Sequence, residues 1–130
     1  MRPLILASSL LLLVLQQISF ANQIFYNCIF DKGYETSFDG TPSGKTLRDK
    51  FNIVFDNIDY NQGIARMRGT GSGQVSVLQE YDLTFFERTA VGNFTITTIF
   101  RSQSKYNAVH SRHIGGLGGP YVAQFYGICK

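Results

Sequence analysis

The sequence predicts a small all-β protein whose seven to eight strands form an antiparallel meander, closed or nearly closed into an up-and-down barrel, with a β-sandwich as the alternative. Three observations lead to this fold class. Short alternating runs rich in Val, Ile, Thr, Phe and Tyr recur along the chain, separated by Gly, Asn, Asp, Ser and Pro. No window of about 11 residues or more shows helical periodicity. Two cysteines, Cys28 and Cys129, lie near opposite ends of the chain.

The amino-terminal segment has the composition of a cleavable secretory signal. Arg2 supplies the positive charge, residues 4–14 form an almost continuous apolar run, and Ala21 is a small residue at the expected cleavage position. The apolar run is shorter than the roughly 20 residues that a permanent membrane helix needs. We therefore predict a signal peptide over residues 1–21, a single all-β domain over residues 22–130, a secreted or periplasmic location, and no membrane span after cleavage.

The cysteine pair supports both the compartment and the closure. In an exported chain, two isolated cysteines predict a disulfide rather than two free thiols. Closing a loop of roughly 100 residues stabilises a fold by about 4–5 kcal/mol in the chain-entropy model. A Cys28–Cys129 bridge also makes the first and last strands neighbours. They are neighbours in a closed barrel, whereas in an open sheet they would be two distant edges.

The first half of the mature chain gives the less regular strands. We expect a strand over residues 24–30 and a short strand over residues 34–38, within the long connection that follows. Apolar residues alternate from position 51 to position 55 and predict the next strand. A turn at residues 61–63 follows, and the glycine-rich residues 69–73 join two further strands as a hairpin tip.

The second half contains the clearest hairpin. Strands over residues 82–89 and 94–101 meet near Gly92-Asn93, which tolerates the positive φ of a tight turn. A turn at that position predicts Glu87 opposite Thr98. The face shared with Glu87 is mostly apolar and is expected to point inward: Leu83, Phe85, Phe94, Ile96, Thr98 and Phe100. Strands over residues 105–113 and 121–129 complete the set, with a glycine-rich loop between them.

Three residues of this half are candidate binding residues: Glu87, His110 and Arg112. A carboxylate on an apolar face needs a partner, and His110 and Arg112 share one face of their strand. If Tyr106 lies opposite Phe100, the three side chains meet on the inner face. If the turn is shifted by one residue, the other face of that strand points inward instead.

Metal, cofactor and nucleic-acid functions are not expected. Two histidines at positions 110 and 113 point to opposite faces of a strand, so they do not form a metal site. The glycines of residues 69–73 precede a strand-like run and lack the helix terminus that a phosphate cradle uses. Without Arg2 the formal net charge is +2 and the charges are interspersed, whereas nucleic-acid binding concentrates cations on one surface.

These features favour an exported, non-catalytic binding protein whose ligand is a small apolar molecule or a protein partner such as a hydrolase. So many phenylalanines predict a filled barrel, which moves recognition to the outer surface and the loops. A small secreted hydrolase or nuclease that uses Glu87, His110 and Arg112 is the first alternative. An envelope-associated structural protein without a discrete site is the second. The sequence leaves the ligand and the oligomeric state open, as well as any glycosylation of Asn93, which begins an Asn-Phe-Thr sequon.

Overall fold

Eight antiparallel strands close into a barrel in the computed structural model, each strand pairing with its neighbours in the chain. The structure describes residues 24–36, 39, 41, 49–69, 72–102, 104–116 and 120–130. The strands are β1 (Tyr26–Thr36), β2 (Phe51–Asp59), β3 (Ile64–Arg68), β4 (Ser72–Gln79), β5 (Leu83–Arg88), β6 (Phe94–Phe100), β7 (Tyr106–Ile114) and β8 (Tyr121–Cys129). The predicted signal peptide and Phe38 lie outside the described residues. No helix in the described part of the chain is long and apolar enough to cross a bilayer.

The barrel closes where β1 pairs with β8, and the disulfide lies on this seam. Cys28 and Cys129 are register partners and are bonded to each other. Beside them, Asn27 and Lys130 exchange two backbone hydrogen bonds of 2.9 and 3.0 Å. The predicted disulfide and the predicted barrel are both confirmed. Because such bonds persist in oxidising surroundings, the bridge indicates an oxidising, extracellular-type compartment.

β1 is one long strand, whereas the sequence had suggested two shorter ones. A bulge between Phe30 and Lys32 shifts its register against β8, so the inward positions change from even to odd numbers. Phe30 and Gly33 are both buried as a result. Residues 34–36, which we had assigned to a separate strand, continue β1 toward its carboxyl end.

The predicted register of the β5–β6 hairpin was wrong, and so was the predicted face of β6. Thr89 N donates to Asn93 O and Gly92 N donates to Thr89 O, both at 2.9 Å, and Gly92 has a φ of 85°. The loop therefore has three residues, with glycine in the left-handed conformation. Glu87 pairs with Thr95. This odd shift turns β6 over: Thr97 and Ile99 are buried, while Phe94 and Phe100 are exposed.

The inward side chains form layers along the barrel axis. One layer links Leu83, Ile99, Ala108, Gly127 and Phe30 through consecutive strand pairings. The next layer links Phe85, Thr97, His110, Phe125 and Gly33 in the same way. The rings of Phe55 and Phe85 stack with centroids 3.9 Å apart. The middle of the barrel is thus filled by side chains, as small barrels of eight strands allow.

Candidate functional site

One end of the barrel has a charged interior, and we call it the mouth. The mouth lies at the end opposite the disulfide and is lined by inward residues Glu35, Phe51, Glu87, Thr95, Arg112 and Tyr121. Register pairs Glu87 with Thr95, Thr95 with Arg112, Arg112 with Ala123 and Ala123 with Glu35. Five consecutive strands thus place Arg112 in one layer between two glutamates, with one small or hydroxylated residue on each side.

His110 lies directly beneath this layer and fixes the position of Arg112. Its ring is 1% exposed, with Nδ1 2.7 Å from Thr97 Oγ1 and Nε2 3.1 Å from Arg112 Nε. Since Arg112 Nε–H can only donate, His110 Nε2 must accept, which puts the ring proton on Nδ1 and makes Thr97 its acceptor. Burial, followed by the charge of Arg112, lowers the pKa of His110 to about 3.

Arg112 rests in the corner between two aromatic rings. Its Cζ lies 5.1 Å from the centroid of Phe51 and 5.0 Å from that of Phe125. The two rings are nearly perpendicular, with centroids 5.0 Å apart. Burial lowers the pKa of Arg112, and electrostatic interactions with Tyr121, Glu87 and Glu35 act in the opposite direction. Its Nη2 is buried without a hydrogen-bond acceptor, a costly state for a charged donor.

Glu87 lies on the inner face, as predicted, but its partner is a different one from those we expected. Its Oε2 accepts a hydrogen bond of 3.0 Å from Thr95 Oγ1. Among the described residues, the ion pairs within 4.0 Å are those of Asp56 with two arginines, so Glu87 does not pair with Arg112. It acts on Arg112 only through the weaker interaction of charges in the same layer.

The three sequence-predicted residues reach the interior, and the β6–β7 register is the second of the two that the sequence left open. Phe100 pairs with Asn107, and His110 pairs with Thr97, so β7 is shifted by one residue from the alignment with Tyr106. That shift was expected to turn His110 outward. His110 nevertheless points inward, because β6 is turned over as well. The odd shift between β5 and β6 and the odd shift between β6 and β7 cancel. His113 lies on the outer face and is exposed.

The geometry does not suit general acid–base catalysis by His110. Both ring nitrogens are engaged by neighbours, and a pKa of about 3 keeps the ring neutral, far from the value near the working pH that such catalysis requires. No group of three His, Cys, Asp or Glu side chains within the described segments is arranged to hold a metal ion. The mouth instead contains the guanidinium group of Arg112, which is held in position and has one nitrogen, Nη2, without an acceptor.

A second charged cluster lies on the outer surface. Arg66 makes two hydrogen bonds to Asp56, at 2.6 and 3.0 Å, and Arg68 Nη2 lies 2.6 Å from Asp56 Oδ2. The bonds from Arg66 are the largest cause that lowers the pKa of Asp56. Phe25, Asn27 and Val54 complete the lining of a cleft of about 510 Å³ beside this cluster. Because both guanidinium groups already hold a carboxylate, the cluster is accounted for as an ion-pair network.

Thr97, Phe51 and Phe125 belong to the site although sequence analysis did not select them. Each is an ordinary β-strand residue with no motif, and each comes from a different strand. Comparisons with protein-family models, curated proteins and solved structures gave no match to this chain. The case for function therefore depends on the geometry of the mouth.

Proposed function

We propose that this chain is an exported, non-catalytic binding protein that recognises its ligand or protein partner at the mouth of the barrel. One observation carries the proposal: Arg112 is held by His110 and by two rings while its Nη2, buried, has no acceptor. A fold that needed this arginine only to close the barrel would be expected to pair it with a glutamate of the same layer. An unpaired, positioned cation is typical of a binding site.

Two further features support the proposal. The amino-terminal segment has the form of a secretory signal, and the disulfide fits the same compartment. The filled middle of the barrel moves recognition to an end or to the outer surface. We assign three residues to binding: Glu87 and Arg112, which line the mouth, and His110, which lies beneath them and acts through Arg112.

The test is mass spectrometry of the protein isolated from the exported fraction of its source organism. Native spectra should show a bound species that denaturing spectra lack, and the denatured chain should begin at Asn22. Arg112→Met should remove the bound species. The matched control is Arg88→Met, because Arg88 contacts an exposed ring, that of Phe94, on the outer surface.

Each of the remaining outcomes contradicts part of the proposal. A native mass equal to that of the chain alone would overturn the binding function and favour an envelope-associated structural protein. Equal occupancy in both arginine variants would move the binding site away from the mouth. Turnover of a phosphodiester or ester that Glu87→Gln abolishes without unfolding would restore the hydrolase alternative.

A further inference from the structure

We infer that the group bound at Arg112 is a single carboxylate carried on an apolar or aromatic body. This inference rests on the proposed function and specifies its ligand. It follows from three properties of the mouth: which donor of Arg112 lacks an acceptor, what charge surrounds the guanidinium group, and which surfaces lie beside it.

The first property is the direction from which an acceptor can approach. His110 Nε2 accepts the hydrogen bond of Arg112 Nε, and the rings of Phe51 and Phe125 lie together beside the guanidinium group, with centroids 5.1 and 5.0 Å from Cζ. The remaining donors are those of the terminal nitrogens, including the unpartnered Nη2. These N–H groups lie in one plane and form a fork, which matches the two oxygens of a planar carboxylate.

The second property is the charge of the layer. Glu35 and Glu87 both act electrostatically on Arg112, and they lie two strands away on either side. With His110 neutral, the charge of Glu87 opposes that of Arg112, so a second negative charge on a ligand gains little further attraction from the layer. A monoanion that makes two charge-assisted hydrogen bonds to the fork is the better match.

The third property is the surface around the fork. Phe51 contacts the ring of Phe125 and also that of His110, with centroids 5.0 and 6.0 Å apart. Tyr121 is 38% exposed at the same end. Aromatic and aliphatic groups pack favourably against such rings. Because Nη2 is buried in the unbound chain, a carboxylate reaches it only when neighbouring groups shift, and its binding removes the penalty of an unpaired buried donor.

The probe is N-acetyl-L-phenylalanine, with N-acetyl-L-phenylalaninamide as the matched ligand without a carboxylate. The readout is the ¹H–¹⁵N NMR signal of Arg112 Nε, which reports on this side chain alone and is assigned by its loss in Arg112→Lys. We expect saturable shifts of that signal with the acid and none with the amide. Inorganic phosphate should produce none. Equal shifts with phosphate or with the amide would overturn the inference, as would no shift with the acid.

Two variants connect affinity to the fork. Arg112→Lys keeps the charge but loses the planar pair of donors. It should therefore raise the Kd for the acid, measured by tyrosine fluorescence, by about tenfold or more. Arg88→Lys, on the outer surface, should leave the Kd unchanged. If Arg112→Lys bound the acid as tightly as the wild type while retaining its near-ultraviolet circular dichroism, the assignment of the fork would be wrong.

A carboxylate of this kind comes from a small organic acid or from the carboxyl terminus of a peptide. A peptide that ends in free Phe, compared with its amidated form, separates the two sources, because only a mouth open to a chain accepts the peptide. Binding of the small acid alone, or of both, supports the same chemistry. Should native spectra show an occupied mouth while all carboxylate probes fail, this inference falls and the proposed function stands. If native spectra show no bound species, both this inference and the proposed function are wrong.

Discussion

The two ends of the barrel are built from different chemistry. At the end that carries Cys28 and Cys129, a covalent bond and two backbone hydrogen bonds hold the closing strands together. Nearby, Arg101 donates from its backbone and side chain to acceptors in the β4–β5 connection. We call this the disulfide end. At the mouth, Arg112 is held by His110, and yet its buried Nη2 lacks an acceptor.

We expect this difference to separate residues that stabilise the fold from residues that take part in the proposed binding. Groups at the disulfide end are satisfied within the chain, so their removal should cost stability. Groups at the mouth are partly unsatisfied, so removing them should cost little stability and should affect binding instead. Four measurements on the free protein test this contrast.

Loss of the disulfide should have the largest effect. The double variant Cys28→Ala/Cys129→Ala opens a loop with a sequence separation of 101, and it should lose about 4–5 kcal/mol of unfolding free energy in the chain-entropy model. Urea unfolding measures the difference. Reductant should destabilise the wild type and leave the variant unchanged. A loss below about 1 kcal/mol would show that the backbone pairing of β1 with β8 suffices to close the barrel.

The second measurement compares a glycine of the disulfide seam with one near the mouth. A Cβ on Gly127 would overlap the backbone oxygen of Ile29 and would lie 2.8 Å from Phe30 Cα. Gly127→Ala therefore forces β1 and β8 apart and should cost about 3 kcal/mol. Nothing lies within 4 Å of a Cβ on Gly116, so Gly116→Ala should change stability by less than about 0.5 kcal/mol. Similar losses in the two variants would contradict the difference in packing.

The third measurement concerns the pH dependence conferred by His110. Its folded-state pKa, about 3, is below the unfolded value of 6.5, so the unfolded chain takes up the proton first as the pH falls. Stability is therefore complete above pH 6.5 and is lost toward pH 3, with about 2 kcal/mol lost between pH 6.5 and 5. His110→Gln can keep both hydrogen bonds and should remove this part of the slope. His113→Gln, at an exposed position, should retain it.

The smallest effect is expected for Arg112. Arg112→Met keeps an unbranched side chain against Phe51 and Phe125 while removing a partly desolvated charge. Its unfolding free energy should stay within about 1 kcal/mol of the wild type. A loss of 3 kcal/mol or more by urea unfolding would show that Arg112 is needed to hold the barrel together, and the contrast between the two ends would then fail.

The barrel and its closure could be predicted from the sequence, whereas the register and the contacts at the mouth could not. Alternation of apolar residues and the spacing of Cys28 and Cys129 were enough to predict the barrel and its closure, since these depend on composition and chain order. The register was missed because it depends on the length and position of the loop. A loop of residues 90–92, instead of a turn at Gly92-Asn93, moves the partner of Glu87 from Thr98 to Thr95, and an odd shift reverses an entire strand. Sequence alone could not show that Phe51 and Phe125 meet around Arg112, because the three lie on three different strands.

The chemistry of Glu87, His110 and Arg112 was recognised as unusual for a β-strand interior, and all three point inward. Their individual partners were not foreseen. Thr95 and Thr97 satisfy two of them, and both threonines lay on the face of β6 that we had assigned to solvent. Polar partners of this kind carry no sequence signal, because threonine is common on either face of a strand.

The pairing of Asn27 with Lys130 also determines how the barrel is oriented when it is attached to a surface through either end of the chain. Both described ends of the chain leave from the side that carries the bridge, so a tag or immobilising linker added after Lys130 would point away from Arg112. A sensor chip coupled through that residue would hold the barrel with Arg112 facing the solution. Cutting and rejoining the chain so that new ends fall in the loop at Gly92 would reverse this orientation.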